Sequence, residues 1–550
     1  MPGFVCMERL TFGQWQALER MLARLLEHSG FKDVMIVGGS GDKGADIVGT
    51  FNQQRWVVQS KFRTYGQIDS SALKEAVLAM SAYKAEVAVA ATNQTFNADA
   101  QKYKKLMDSS DIDLRTWNGA YLQNYFRALP CMSTAFKELR SYQLDAIDKI
   151  EQKRSIGGDK ALVIMATGLG KSLVATQLIA NELDRNPTQE ILVLAHMTDI
   201  VKQLELASWS QLRKDWSTHL WTDGEVPTYV GGIIFATWQS VIGALNKAPM
   251  EGRFGLIIVD EAHHAPALKF SHLLHQLHPN FLAGFTATPW RGDELDLSTL
   301  FGPPTYVKDI IDGMQEGFLA EVDYRMLTDG IDWDEVARMS KQGHTIKDLN
   351  SKLIMPDRDV AIVDKFSEHF FSIQNPKAIV FCRSKAHADK LQPLFSAKGI
   401  NTAVLHSDLP REQRFFNLSS FRVGTIGCLI SVEILNEGID VPDVNIIGFM
   451  RVTHSRRIFI QQLGRGLRVY PGKSKVLVLD FVADIRRLAA GLEINREATE
   501  RANREEVIRY QDGRVVIFDN DKPASFFNEY LADVADIENM DEGSRLKFPE

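Results

Sequence analysis

Two blocks of short apolar runs, separated by helical patterns, constrain this chain more than any other feature. The first block lies at 161–165, 191–195, 232–236, 256–259 and 282–285. The second lies at 378–381, 402–405, 428–430, 446–449 and 476–480. Apolar runs this short, without alternation, suit strands buried on both faces. Strands of that kind with helices between them form parallel sheets, because the crossover helices cover both faces. The expected fold class is α/β, with two tandem parallel-sheet domains at 136–295 and 359–490. A more polar stretch, 296–358, is expected to connect them. Residues 491–550 form a small C-terminal region with a charged helical stretch at 493–509, and no role follows from its sequence.

The first 130 residues differ in style. A helix is expected at 15–26, with Trp15, Leu18, Leu22, Leu25 and Leu26 on one face and Gly30 placed to end it. Strands are expected at 34–37, 47–51, 56–62 and 87–91, and a linker at 129–133 around Pro130. The full 550 residues exceed what one hydrophobic core supports, so several domains are required. The net charge of -7 gives no global basic signature, so any nucleic-acid contact must come from local clusters of lysine and arginine. The four cysteines lie far apart, without metal-ligand spacing, and are expected to be reduced thiols. With neither a signal-like start nor a bilayer-length apolar run, the expected location is the cytoplasm.

Chemistry concentrates where apolar runs end. The run 161–165 leads into Ala166-Thr167-Gly168-Leu169-Gly170-Lys171-Ser172 and then a helical pattern. A strand, a glycine turn, Lys-Ser and a helix make a phosphate cradle, in which backbone N–H groups and the helix N-terminus face anionic oxygens. Lys171 would reach the β and γ phosphates, and the Ser172 hydroxyl would contact Mg²⁺. The run 256–259 ends in Asp260-Glu261-Ala262-His263, delivering two adjacent carboxylates to a strand end. The pair of motifs implies hydrolysis of a nucleoside triphosphate. The general phosphate-loop pattern has a glycine where this chain has Met165.

From Arg140 onward the chain resembles the superfamily 2 helicases and translocases, over about 340 residues with the motifs in family order. Arg140-Ser141-Tyr142-Gln143 resembles the adenine-recognition segment, and a Gln143 amide can both donate and accept. Thr286-Ala287-Thr288 resembles the third motif, Ile379 to Ser384 the fourth, and Asn436-Glu437-Gly438-Ile439-Asp440 the fifth. Gln461-Gln462-Leu463-Gly464-Arg465-Gly466-Leu467-Arg468 matches the sixth. The resemblance implies two RecA-like lobes. Arg140, Gln143, Thr167, Gly168, Gly170, Lys171, Ser172, Asp260, Gly438 and Asp440 would bind ATP and Mg²⁺, with the metal at Ser172 and Asp260. Glu261 would orient or deprotonate the attacking water. Arg465 and Arg468 would act on the γ-phosphate as arginine fingers, and His263 and Gln461 would bridge the lobe cleft. His264, His272, His275 and His278 lack a completing ligand for a metal site and are expected to be solvated or packed. Trp209, Trp216 and Trp238 are expected in the core.

Near the N-terminus, Glu19 borders the apolar stripe of the first helix. Burial there is costly for a carboxylate without a cation or donor. Asp46 opens a strand after the turn-rich segment 38–45, which includes Asp42 as a turn residue. Gln59 and Lys61, two apart on the next strand, share a face. Two carboxylates, an amide oxygen and a lysine could hold Mg²⁺ beside a scissile phosphate and stabilise developing charge. The segments GDKGADIV, VVQSKF and AATNQTFNADA resemble the Mrr-type restriction endonuclease domain of the PD-(D/E)XK fold, over about residues 8–125. That resemblance implies catalytic Asp46, Gln59 and Lys61, with the metal held by Glu19, Asp46 and Gln59. It also implies a restriction-endonuclease-like α/β domain at 1–130.

Together the two resemblances imply an ATP-driven DNA helicase or translocase coupled to a Mg²⁺-dependent, type II- or IV-like endonuclease. Restriction or phage defence is the expected setting, with double-stranded DNA as partner and no membrane. Type I restriction motor subunits share the nuclease-first order, and partner subunits or self-assembly would supply target recognition. Two other readings stand beside this one. One is a DNA-repair helicase whose N-terminal domain binds without cutting. The other is a nucleic-acid-sensing ATPase that does not unwind.

Overall fold

The computed structural model describes residues 2–37, 44–245, 249–287, 297–326, 359–382, 384–432, 441, 443–450, 464, 466–473, 475–481 and 508–510. The chain divides into two compact units. The first comprises Met1–Ile164, Gly170–Pro289 and Leu295–Val307. The second comprises Met165–Leu169, Trp290–Glu294 and Lys308–Glu550.

The first unit opens with α1 (Met7–Phe12), α2 (Trp15–His28), β1 (Lys32–Ile36), β2 (Ile47–Phe51), β3 (Gln54–Lys61), β4 (Gln67–Ile68) and α3 (Ser70–Tyr83). There follow β5 (Val87–Thr92), β6 (Thr95–Phe96), α4 (Ala98–Ser109), β7 (Leu114–Trp117) and α5 (Gly119–Ala128). Five strands form one sheet in the order β1-β2-β3-β5-β7. The first pairings are antiparallel, and those of β3 with β5 and β5 with β7 are parallel. Alternation along β3 sends Trp56 and Val58 into a core with Leu18, Leu22 and Leu25 of α2. Val57 joins the opposite core, with Ala72, Leu73 and Ala76 of α3. Trp15 departs from the expected apolar face: it starts α2 but is 53% exposed.

The same unit continues with α6 (Ser141–Ser155), β8 (Lys160–Met165), α7 (Lys171–Arg185), β9 (Glu190–Ala195), α8 (Thr198–Trp209), β10 (Thr218–Trp221) and β11 (Ile233–Thr237). Three more strands, β12 (Phe254–Val259), β13 (Phe281–Thr286) and β14 (Pro304–Lys308), complete a seven-stranded sheet in the order β10-β11-β9-β12-β13-β8-β14. Residues 218–221 and 304–308, not expected as strands, form its two edges.

The N-terminal sheet and this one share packing. Trp209 of α8 sits in the α2 core, and the segment expected as a linker is pinned there too: Leu129 is buried in that core, and Pro130 O lies 2.9 Å from His28 Nε2. Arg20 of α2 reaches Glu205 Oε2 at 2.8 Å and also pairs with Glu225. Burial alone would depress Arg20, but Glu205 and Glu225 more than offset it. Arg24, 1% exposed, donates to Trp216 O at 2.8 Å and Arg213 O at 3.2 Å, and its guanidinium lies 4.5 Å from the Phe4 ring centre. Burial, then the Arg9 charge, lower Arg24 to about 9. Lys214 donates to Phe126 O, Arg127 O and Leu129 O, collecting carbonyls at the C-terminal end of α5. Breaking a buried ion pair strands the remaining charge, at a cost of ~3–5 kcal/mol. Arg20→Ala is therefore expected to lower unfolding free energy by about that amount in denaturant titrations. A loss below ~1 kcal/mol would show that the pair behaves as a surface salt bridge.

The second unit holds β15 (Glu321–Met326), β16 (Ala378–Cys382), β17 (Thr402–Leu405), β18 (Cys428–Ser431), β19 (Ile446–Met450), β20 (Lys475–Asp480) and β21 (Ile508–Tyr510). They form a parallel sheet in the order β17-β18-β16-β19-β20-β15-β21. The polar stretch expected to connect the domains thus contributes β14 to one sheet and β15 to the other. Residues 508 and 509, expected at the end of a charged helix, lie in a strand. The rest of that stretch is outside the described residues. No helix among the described residues is long and apolar enough to cross a membrane.

Candidate functional sites: a nucleotide cradle and a strand-end cluster

In the first unit, β8, β13 and β12 are adjacent parallel strands, so the segments leaving their C-terminal ends gather at one edge. Gly168 and Gly170 both take positive φ, 94° and 84°, which L side chains adopt with strain. Gly170 caps α7, a 15-residue helix that begins at Lys171 and presents its N-terminal dipole to the loop. A Cβ on Gly170 would lie 2.5 Å from Gln143 Nε2, so the amide proposed for adenine lies directly against the phosphate loop. Gln143 is buried, and its Oε1 accepts from Arg140 N–H at 2.9 Å, which fixes the amide at the start of α6.

Asp260 follows β12, and its N–H donates to Leu194 O at 2.9 Å, extending the ladder with β9. Burial, then the Glu261 charge, raise Asp260 well above the ordinary carboxylate range, to about 7, while Lys171 pulls the other way. A carboxyl held so high fits a group whose usual partner is a cation. Glu261 has φ 48° and ψ 51°, a left-handed conformation costing on the order of 1–3 kcal/mol in a non-glycine residue. Such strain concentrates at functional sites. His263 is fully buried, with Nδ1 3.1 Å from Thr286 Oγ1 and 3.3 Å from Glu261 Oε2. It therefore links the ends of β12 and β13.

His264 lies beside His196, with ring centres 3.8 Å apart. His196 escaped the sequence reading, although a signal was present: it follows the apolar run of β9 as Asp260 follows that of β12. Trp209 and Trp216 are buried, as expected, and Trp238 packs on the lobe core. In the second unit, Arg468 is bridged to Leu319 across an antiparallel pair. Thr288, Gly438, Asp440, Gln461 and Arg465 lie outside the described residues.

In the N-terminal sheet, Ile47 opposes Val58, so Asp46 stands opposite Gln59 at the strand ends. Asp46 is 4% exposed, and its Oδ2 accepts from Ser60 N–H at 2.6 Å. Gln59 is 3% exposed, and its Oε1 is buried without a hydrogen-bond partner. An orphaned buried acceptor is costly, and a cation beside it would remove the cost. Asp46 and Gln59 therefore fit a divalent metal. Lys61 shares the Gln59 face and pairs with Glu75 of α3 at 2.7 Å. Glu75 also escaped the sequence reading: the contact joins a helix to a strand fourteen residues away, and no spacing rule marks it. Glu19 is buried on α2, which covers the opposite face of the sheet. The structure thus brings Asp46, Gln59, Lys61 and Glu75 together on one side, with Glu19 on the helix behind. Asp42 is outside the described residues. Among the described residues no group of three or more His, Cys, Asp or Glu could hold a metal. Asp46 and Gln59 supply one carboxylate and one amide.

Family models match three stretches. Residues 12–125 match the Mrr-type restriction endonuclease model. Residues 136–291 match the type III restriction enzyme res subunit, and 361–470 match the helicase conserved C-terminal domain. The chain belongs to the superfamily 2 helicases, with an Mrr-type restriction endonuclease domain at its N-terminal end. Among curated relatives of this superfamily 2 chain, a putative ATP-dependent helicase, IRC3 of Saccharomyces cerevisiae, is 28% identical over 62% of the chain and 51% of the relative. The endonuclease subunit of the type I restriction enzyme EcoAI of Escherichia coli is 25% identical over 63% of the chain and 46% of the relative. The chain thus spans about half the length of these relatives. The solved structure of the ATP-dependent type ISP restriction-modification enzyme LlaBIII bound to DNA shares the fold. Its TM-score is 0.54 at 16% identity, over 90% of this chain and 40% of that one.

Proposed function

We propose that this superfamily 2 chain is an ATP-driven DNA translocase or helicase coupled to a Mg²⁺-dependent DNA endonuclease, acting in restriction of foreign DNA. The observation that carries the reading is the coexistence of two fitted sites. One is the glycine cradle closed by Gln143 beside Asp260 and Glu261. The other is the orphaned Gln59 acceptor opposite Asp46.

In the motor, the α7 N-terminus, Gly168, Gly170 and Lys171 would hold the triphosphate, with Gln143 and Arg140 at the adenine. Ser172 and Asp260 would hold Mg²⁺, which supplies charge neutralisation at the phosphates when bound. Glu261, in its left-handed conformation just past β12, would orient the attacking water and take its proton. His263 ties Glu261 to Thr286 at the end of β13. Gly438, Asp440, Arg465 and Arg468 would complete the nucleotide site. Arg465→Ala and Arg468→Ala are expected to keep ATP binding and lose ~10³-fold or more of hydrolysis, as removal of arginine fingers does. An unchanged single-turnover rate in either variant would remove that arginine from the role.

In the nuclease, Asp46 and Gln59 would hold a divalent metal, which would polarise the scissile phosphate. Lys61 would stabilise charge on the phosphate as the bond breaks. DNA is the proposed substrate, and partner subunits or self-assembly would provide target recognition. Supercoiled plasmid, methylated and unmethylated, should be cut by the wild type with ATP and Mg²⁺ and left intact by Lys61→Ala. Failure of the wild type on every form, with candidate partner subunits added, would leave the N-terminal domain as a binding module.

The Lys61–Glu75 ion pair favours a second reading, a helicase whose N-terminal domain binds DNA without cutting, because the pair engages the lysine. Glu75→Gln separates the two. Under the cutting reading it frees Lys61 and retains cleavage.

A further inference from the structure

One side chain organises the rim of the N-terminal sheet. Lys61↔Thr92 is the last pair of β3 with β5, so the segments leaving these parallel strands start side by side. Asn93, the first residue after β5, accepts from Arg63 N–H at 3.0 Å and donates to Arg63 O at 2.7 Å. The same amide donates to Leu10 O at 2.8 Å, near the end of α1. Gln94 adds bonds to Arg63 O at 3.0 Å and Thr64 O at 3.2 Å. The Arg63 guanidinium closes the turn by donating to Gln67 O at 3.0 Å. The turn after β3 and the end of α1 are thus both clamped to one amide.

Each clamped segment carries an aromatic ring facing solvent. Tyr65 is 86% exposed and Phe12 76% exposed. Both rings thus stand open to solvent on backbone held by the Asn93 amide. Tyr65 stands four residues from Lys61, and Arg63 between them is half exposed, with its Nη2 3.9 Å from Asp69 Oδ2. A π face beside cations, next to a candidate phosphodiester centre, matches the chemistry that binds an unpaired nucleotide: the base stacks on the ring and the backbone meets the charges. Paired bases present no free face to such a ring.

We infer that Tyr65, with Phe12, forms a base-stacking platform that presents an unpaired DNA strand to the Lys61 centre, so the nuclease acts on DNA with unpaired nucleotides at the cut. The inference rests on the nuclease reading for its catalytic consequence but has a readout that needs no cutting.

The test uses the full chain in EDTA with forked DNA carrying 2-aminopurine in its unpaired arm. Wild type should quench the fluorophore on binding. Tyr65→Ala should weaken the quenching on the order of tenfold, and Tyr65→Phe and Tyr65→Trp should restore it, as stacking energies of aromatic platforms require. Phe12→Ala should act in the same direction. DNA-stimulated ATPase should not change in any of these variants. With Mg²⁺, the Tyr65→Ala loss should appear as a raised KM for forked substrate, rescued by Tyr65→Trp. Quenching equal in Tyr65→Ala and wild type overturns the platform, as does equal cleavage of forked DNA by the two. Quenching that depends on Tyr65 in a protein that never cuts would sustain the platform and refute the nuclease. Lys61-dependent cutting indifferent to Tyr65 would do the reverse.

Discussion

Lys171→Ala and Glu261→Gln should each reduce DNA-stimulated ATP turnover by ~10²-fold or more, the usual consequence of losing a phosphate clamp or a water-orienting group. The two should fail differently. Lys171 begins α7 at the cradle, so its loss should weaken nucleotide binding as well as turnover. Glu261 follows the strand that ends at Val259, and its loss should leave binding near wild type while the chemical step stalls. Equilibrium binding of a fluorescent ATP analogue beside steady-state turnover distinguishes these outcomes. Turnover within a few-fold of wild type in either variant would dislodge that residue from the site.

Asp46→Ala and Lys61→Ala should abolish Mg²⁺-dependent DNA cleavage, with losses on the order of 10²-fold or more, and leave ATP turnover intact. Gel-based cleavage and ATPase assays on one preparation check both halves. The selectivity has a structural ground. Asp46, Gln59 and Lys61 lie at strand ends facing α3, whereas the packing against the ATP-binding lobe runs through α1, α2 and α5. Lys61→Ala that cuts as well as wild type would misplace the centre. Loss of ATPase in either variant would show that the nuclease sheet communicates with the motor through that packing.

The parallel sheets were legible because apolar runs without alternation leave few other options. Residues 47–51 and 402–405 were expected as strands and are strands, end to end. The edges were not legible. Residues 218–221, Thr-His-Leu-Trp, carry too little apolar signal, and the Arg9 Nη2 that donates to Thr218 O comes from more than two hundred residues away in the chain. Residues 321–326 mix charge with apolar groups, and their strand identity depends on pairing with residues 475–480 and 508–510 far along the chain. The same limit applies at the sites. Asp260, Glu261, Gln59 and Lys61 could be singled out because strand ends and period-two spacing place them locally. The His263–Thr286 bond and the Lys61–Glu75 pair join elements whose approach only the folded sheet defines.

The buried arginines of α2 carry a consequence for how the two chemistries are joined. A domain on a flexible tether samples a volume, and its meeting with a substrate held elsewhere is set by effective concentration and tether length. Here no such volume exists. Arg20 and Arg24 reach directly into the ATP-binding lobe, and Trp209 of that lobe fills the core beneath α2. The distance from the start of α7 to the strand-end cluster is therefore set by packing within one compact unit. Shortening or lengthening residues 129–133 would disturb packing and leave reach unchanged. Changing that distance would require rebuilding the faces of α1, α2 and α5 that meet the lobe.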